Sequence, residues 1–153
     1  FFYGNPDANG DGRPDPEWEM MNIVKVVPAF PMVWSWNLIP VRTISVHKKC
    51  AQSLNSILLD IAKTTTDHER EEFEINRCGG AYNFRLMRGS NRLSLHSWGC
   101  AIDLSPELNG LGKVYDKSNM MPEKIVKIFK EHGWAWGGLW SRPDAMHFQA
   151  ANI

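Results

Sequence analysis

Four residues of this chain have the types and spacing for metal-assisted hydrolysis: His96, Asp103, Asp144 and His147. His96 and Asp103 lie seven positions apart in "SLHSWGCAID", and Asp144 lies three before His147 in "DAMHF". A catalytic zinc ion takes three protein ligands from His and carboxylate and keeps one position open. His96, Asp103 and His147 make such a set. Asp144 sits close enough to take a proton from water without being a ligand itself. Spacing alone leaves a rival reading open. A histidine among apolar residues is more often a hydrogen-bonded core group, and Asp103 also reads as a turn carboxylate at a strand end. His47, His68 and His132 are read in that structural way.

These side chains need rigid supports. "GCAIDLS" and "AMHFQA" read as short strands, which places Asp103 and His147 on sheet backbone. "VRTISV" has the β-branched content of another strand. From His47 to Thr64, Leu54, Ile57, Leu58 and Ile61 fall on one face of a helix. Pro122 opens a second helix whose inner face holds Ile125, Ile128, Phe129 and His132, and Gly133 closes it. Residues 17–22 suit one or two helical turns. Residues 66–72, "TDHEREE", read as a charged connection. "FEINRC" and "AYNFRLM" alternate like strands around Gly79 and Gly80, which suggests a hairpin or bulge. "VVPAFPMVW" reads as extended or irregular. "WAWGGLW" is a Gly-broken aromatic segment; its tryptophans suit a cleft wall, with core packing preferred for Trp136. The mixed element order predicts an α+β fold. A small antiparallel sheet should carry the site, packed against two or three helices.

Composition excludes several classes. The chain has 153 residues, which suits a single domain spanning 1–153, with a loop-rich segment over 1–40 and a catalytic core over 41–153. Lys+Arg and Asp+Glu are both 17, which gives no footprint for nucleic acid or an anionic membrane. No apolar run is long enough to span a bilayer. Cys50, Cys78 and Cys100 make no metal-type pair, and their odd number suits free thiols in a reducing compartment. Cys100 is expected to point into the core. No signal peptide is visible. The expected state is a monomer.

"SLHSWGCAIDL", "GWAWGGLW" and "DAMHF" together resemble the zinc D-Ala-D-Ala carboxypeptidase and L-alanyl-D-glutamate peptidase family, which contains VanY-type enzymes and phage endolysins. The family pattern is S-x-H-x-x-G-x-A-x-D, then W-G-G, then D/E-x-x-H-F. Its fixed positions are met by Ser94, His96, Gly99, Ala101, Asp103, Gly137, Gly138, Asp144, His147 and Phe148. "FYGNP" and the helix start "HKK" are also similar to small phage members. The resemblance implies a Hedgehog/D,D-peptidase-like fold, with Zn2+ held by His96, Asp103 and His147 and Asp144 as general base. It implies an arginine for substrate carboxylate or oxyanion, best met by Arg85 with Arg88 as competitor, and substrate contact by Ser94. For Arg85 a surface charge, and for Ser94 a turn hydrogen bond, are equally open.

The implied substrate is the peptidoglycan stem peptide. An Asp base and free thiols favour the L-Ala–D-Glu bond and a phage endolysin, made in the host cytoplasm and then acting on the cell wall. The D-Ala–D-Ala bond is the alternative. No separate cell-wall-binding domain is expected. Two non-enzymatic readings compete: a zinc-binding interaction module without catalysis, and a calcium-dependent one. The second rests on "DANGDGRPD", where Asp7, Asn9, Asp11 and Asp15 are spaced as in an EF-hand loop. Trp18 stands where the closing Glu belongs, so a polar turn loop is preferred over a weak Ca2+ site.

Overall fold

The computed structural model describes residues 2–151. The expected α+β class holds. The first helix, α1 (Pro16–Asn22), is capped by Asp15 and leads into β1 (Ile23–Val26). β2 (Val33–Trp34) and β3 (Ile44–His47) follow, then the long α2 (Lys48–Thr64) and the short α3 (Asp67–Glu72). β4 (Arg77–Gly80), a 3-10 turn (Leu95–Trp98), β5 (Ala101–Leu104), α4 (Glu123–Glu131), β6 (Ala135–Gly137) and β7 (Asp144–Gln149) complete the order.

β1 and β3 form a two-stranded antiparallel sheet. The main sheet has five strands in the order β2-β4-β5-β7-β6. It is not wholly antiparallel as expected: the edge strand β2 runs parallel to β4. Its pairing ties Val33 and Trp34 of the N-terminal segment to Arg77 and Cys78.

Two helices supply the core. Leu54, Ile57, Leu58 and Ile61 of α2 are all fully buried, as their spacing predicts. On α4, Ile125, Ile128 and Phe129 turn inward. Phe129 stacks on Phe148 of β7 with ring centroids 3.8 Å apart. His132 ends α4 instead of lying on its inner face, and its Nε2 meets Asp60 of α2 at 2.8 Å.

Two segments depart from expectation. Residues 67–72 are helical, not a loop, because Thr66 and Glu69 form a reciprocal capping box that satisfies the first free amides. Residues 73–76 and 81–87 are not strands; only an isolated bridge, Leu86 to Leu93, remains of the second. The backbone of 82–85 is pinned to three different places. Tyr82 N donates to Ser45 O, Asn83 N to His96 O, and Arg85 N to Ser97 Oγ. Gly79 and Gly80 do mark a bulge, where β4 shifts register against β5.

Candidate metal centre

The site is assembled on β5 and β7, with one contribution from the 3-10 turn between β4 and β5. Asp103 and His147 are direct partners in the antiparallel pairing of β5 with β7. Their side chains meet at 3.1 Å, His147 Nδ1 to Asp103 Oδ1. His96 arrives from the 3-10 turn, where Ser94 Oγ caps the first turn by accepting from His96 N at 3.3 Å. His96 Nε2 lies 3.3 Å from Asp103 Oδ2. One ligand atom from each of the three residues falls within 4.8 Å of the others.

Glycines make the close approach feasible. Gly99 ends the 3-10 turn at φ 72°, and a Cβ there would stand 2.7 Å from His47 N. A side chain would therefore push the His96 turn off β3. On the other side, a Cβ on Gly79 would come within 3.1 Å of the Asp103 Cβ.

The electrostatics fit a cation. His96 Nδ1 donates to Ala81 O at 2.7 Å, so its Nε2 carries the lone pair. That nitrogen is buried, has no hydrogen-bond donor facing it, and points at a carboxylate oxygen. Two acceptors turned toward each other are unfavourable unless a cation lies between them. Burial alone would raise the pKa of Asp103, but the two imidazoles set against it outweigh this and hold the carboxyl well below the usual range. Burial alone would lower that of His147, and the Asp103 carboxylate beside it more than reverses this. Two imidazoles and one carboxylate with converging ligand atoms beside an open cleft are a zinc-type donor set.

Asp144 lines the same cleft. Its Oδ1 is buried and has no hydrogen-bond partner. Burial raises its pKa, with the charges of His147 and Asp103 acting in opposite directions. A break in the β6–β7 register lies beside it: Trp136 pairs with Phe148, while the next residue, Gly137, pairs with Asp144. This irregularity frees Asp144 from the strict alternation of β7.

The cleft encloses about 600 Å³. Arg85, Arg88 and Ser94 all line it, so all three of the further residues expected at the site are present there. Both arginines are exposed; Ser94 is buried and occupied by its capping bond. Sequence reasoning missed two residues. Arg142 adds a third cation to the rim, and Gln149 lies at the floor. Of the aromatic segment, Trp140 is a cleft wall with its ring 5.6 Å from that of His147. Trp136 is core, donating Nε1–H to Ala145 O at 2.8 Å. A second groove of about 530 Å³ along α4 is lined in part by Trp136 and contains none of the metal-site or cation residues named above.

The remaining expectations separate cleanly. Cys50, Cys78 and Cys100 are free and buried. Cys100 is fully inside, donating to Leu95 O at 3.4 Å. His47 is the N-cap of α2, His132 pairs with Asp60 as described, and His68 is a surface group beside Glu72. The acidic N-terminal loop spends its oxygens on its own backbone. Asp7 accepts from Asp11 N and Gly12 N, Asn9 from Asp11 N, and Asp11 from Arg13 N. Asp15 caps α1 through Glu17 N. Among the described residues, His96, Asp103 and His147 are the one cluster of three or more such groups with converging ligand atoms. Among the described residues, no helix is long and apolar enough to cross a membrane.

Neither a curated protein nor a solved structure matches the chain. A family model does, over less than half of the length but over the part that supplies all four chemical groups. Residues 88–150 match the family described as D-alanyl-D-alanine carboxypeptidase, in agreement with the motif resemblance.

Proposed function

We propose that this protein is a zinc-dependent peptidase that hydrolyses a bond in the peptidoglycan stem peptide. One observation carries the reading. The buried cradle of His96, Asp103 and His147 opens into the same cleft as the unpartnered carboxylate oxygen of Asp144. His96, Asp103 and His147 would hold the zinc, which when bound would supply the Lewis acidity that lets water act as a nucleophile near neutral pH. Asp144 takes the proton of the attacking water and delivers it to the departing amine nitrogen. Arg85 stabilises the oxygen on which charge develops, or holds the substrate carboxylate; Arg88 is the competing cation. Ser94 contacts the substrate through its hydroxyl, which accepts from His96 N in the cap and keeps its own proton to donate.

The proposed bond is L-Ala–D-Glu, on the strength of an Asp rather than a Glu as base. The D-Ala–D-Ala bond is the second reading, favoured by the description of the matching family. The proposed setting is a phage endolysin, working as a monomer, made in the host cytoplasm and reaching the wall on release. The three free thiols are compatible with such an origin. Binding of Ca2+ by the N-terminal loop is disfavoured, because its carboxylates already cap and turn the backbone.

The test is mass spectrometry of peptidoglycan digested with the zinc-loaded protein. New N-terminal D-Glu identifies L-Ala–D-Glu cleavage. Free D-Ala identifies carboxypeptidase action. No new terminus of either kind would sink the peptidase reading and favour a non-catalytic zinc module.

A further inference from the structure

Gln149 lies two residues beyond His147 on β7, so the strand repeat puts both side chains on one face. It is 3 % exposed and lies in contact with the imidazole. Its amide nitrogen donates to Ala151 O at 2.9 Å, which fixes which end of the amide is which. The Oε1 end therefore faces His147 Nε2, 3.0 Å away. A carbonyl oxygen only accepts, so the proton of a neutral His147 belongs on Nε2 and the lone pair on Nδ1.

Nδ1 is the nitrogen that meets Asp103 Oδ1 at 3.1 Å. His96 is set the other way round: Ala81 O takes its Nδ1 proton and leaves Nε2 toward Asp103 Oδ2. The two imidazoles thus present opposite ring nitrogens to the two oxygens of one carboxylate. Without a fixed acceptor at Nε2, His147 has an attractive alternative. It can carry its proton on Nδ1 and donate a charge-assisted hydrogen bond to Asp103. That arrangement would occupy a ligand nitrogen and a ligand oxygen at once.

We propose that Gln149 is a positioning residue that selects the Nε2–H form of His147 and so keeps Nδ1 free as the metal-binding nitrogen. The inference rests on reading His96, Asp103 and His147 as a metal centre. Partners that fix a ligating histidine in this way are worth 10–100-fold in metal affinity as an order of magnitude.

The experiment compares the wild type with Gln149→Leu and Gln149→Glu. Zinc affinity is measured by competition with a chromophoric chelator, folding by circular dichroism, and the ring nitrogens of His147 by NMR of the zinc-loaded protein. Gln149→Leu should bind zinc roughly 10–100-fold more weakly while remaining folded. Gln149→Glu keeps an acceptor at the same reach and should bind at least as tightly as wild type. The wild-type spectrum should show a proton on His147 Nε2. A Leu variant with unchanged zinc affinity, a Glu variant as weak as Leu, or metal on Nε2 would each overturn the proposal. If Gln149→Leu does not fold, the Glu variant and the wild-type spectrum still decide it. A wild type that binds no zinc would instead overturn the metal centre itself, and this inference with it.

Discussion

Asp103 and His147 stand directly opposite each other across the β5–β7 pair, and their side chains meet at 3.1 Å. No loop is needed to bring this carboxylate and imidazole together; the sheet register does it. The site is therefore as rigid as the hydrogen-bond ladder beneath it, and only His96 depends on a turn.

Metal dependence follows from that geometry. Chelation should abolish hydrolysis and added zinc restore it. Zinc at about 100 times its dissociation constant should stabilise the fold by roughly 2.7 kcal/mol. Asp103→Ala should lose both the activity and the zinc-dependent rise in Tm. Activity surviving exhaustive metal removal would contradict the mechanism.

Asp144 should be separable from binding. Asp144→Asn is expected to retain zinc, measured by elemental analysis, and to lose roughly 10²–10⁴-fold in kcat. The base must be ionised to act. Activity should therefore fall on the acid side of the rate profile as this carboxylate takes up a proton. A variant hydrolysing peptidoglycan at the wild-type rate would remove Asp144 from the mechanism.

His47 sets a pH dependence of stability away from the cleft. Its Nδ1 accepts from Lys49 N at 3.1 Å and its Nε2 donates to Tyr3 O at 3.1 Å, so the neutral ring is fully used. Burial, aided by Lys49 and Lys48, lowers its pKa despite the Tyr3 carbonyl. The unfolded chain then binds the proton more readily, and stability rises with pH. This contribution should fall away as pH drops through about 6.5, the unfolded value, toward the lower folded one. Melting curves from pH 8 to pH 5 should show a steeper decline for wild type than for His47→Gln. Parallel curves would refute the assignment.

Gly99→Ala tests the tight seat of the His96 turn. The residue has φ 72°, and the new Cβ would lie 2.7 Å from His47 N. Strain of this kind costs about 1–3 kcal/mol. Lower Tm together with weaker zinc binding is expected, because the turn that holds His96 must shift. Unchanged zinc affinity would mean that the turn adjusts without moving the ligand.

The site was more legible than the fold around it. His96, Asp103, Asp144 and His147 are residue types with few structural reasons to recur in that order, and the strand patterns around Asp103 and His147 were plain. Gln149 was invisible, since a glutamine ending a strand looks like any polar residue until its amide partners are known. Arg142 lies in an exposed loop with no repeat to flag it. The acidic run at 66–72 was misread as a loop because its charges masked the T-x-x-E cap of Thr66 and Glu69. Residues 81–87 carried an apparent strand alternation, yet their amides bond one at a time to Ser45, Ser97 and His96. Such scattered tertiary pinning leaves no period in the sequence.

The main sheet is regular where Asp103 meets His147 and irregular on either side, at Gly80 and at Gly137. The ligand pair is thus held by a fixed ruler, while the proton acceptor hangs from an adjustable joint. Lengthening or shortening the joint near Gly137 would slide Asp144 along the cleft and leave Asp103 and His147 in register. Reach toward different scissile bonds could then be tuned without rebuilding the metal cradle.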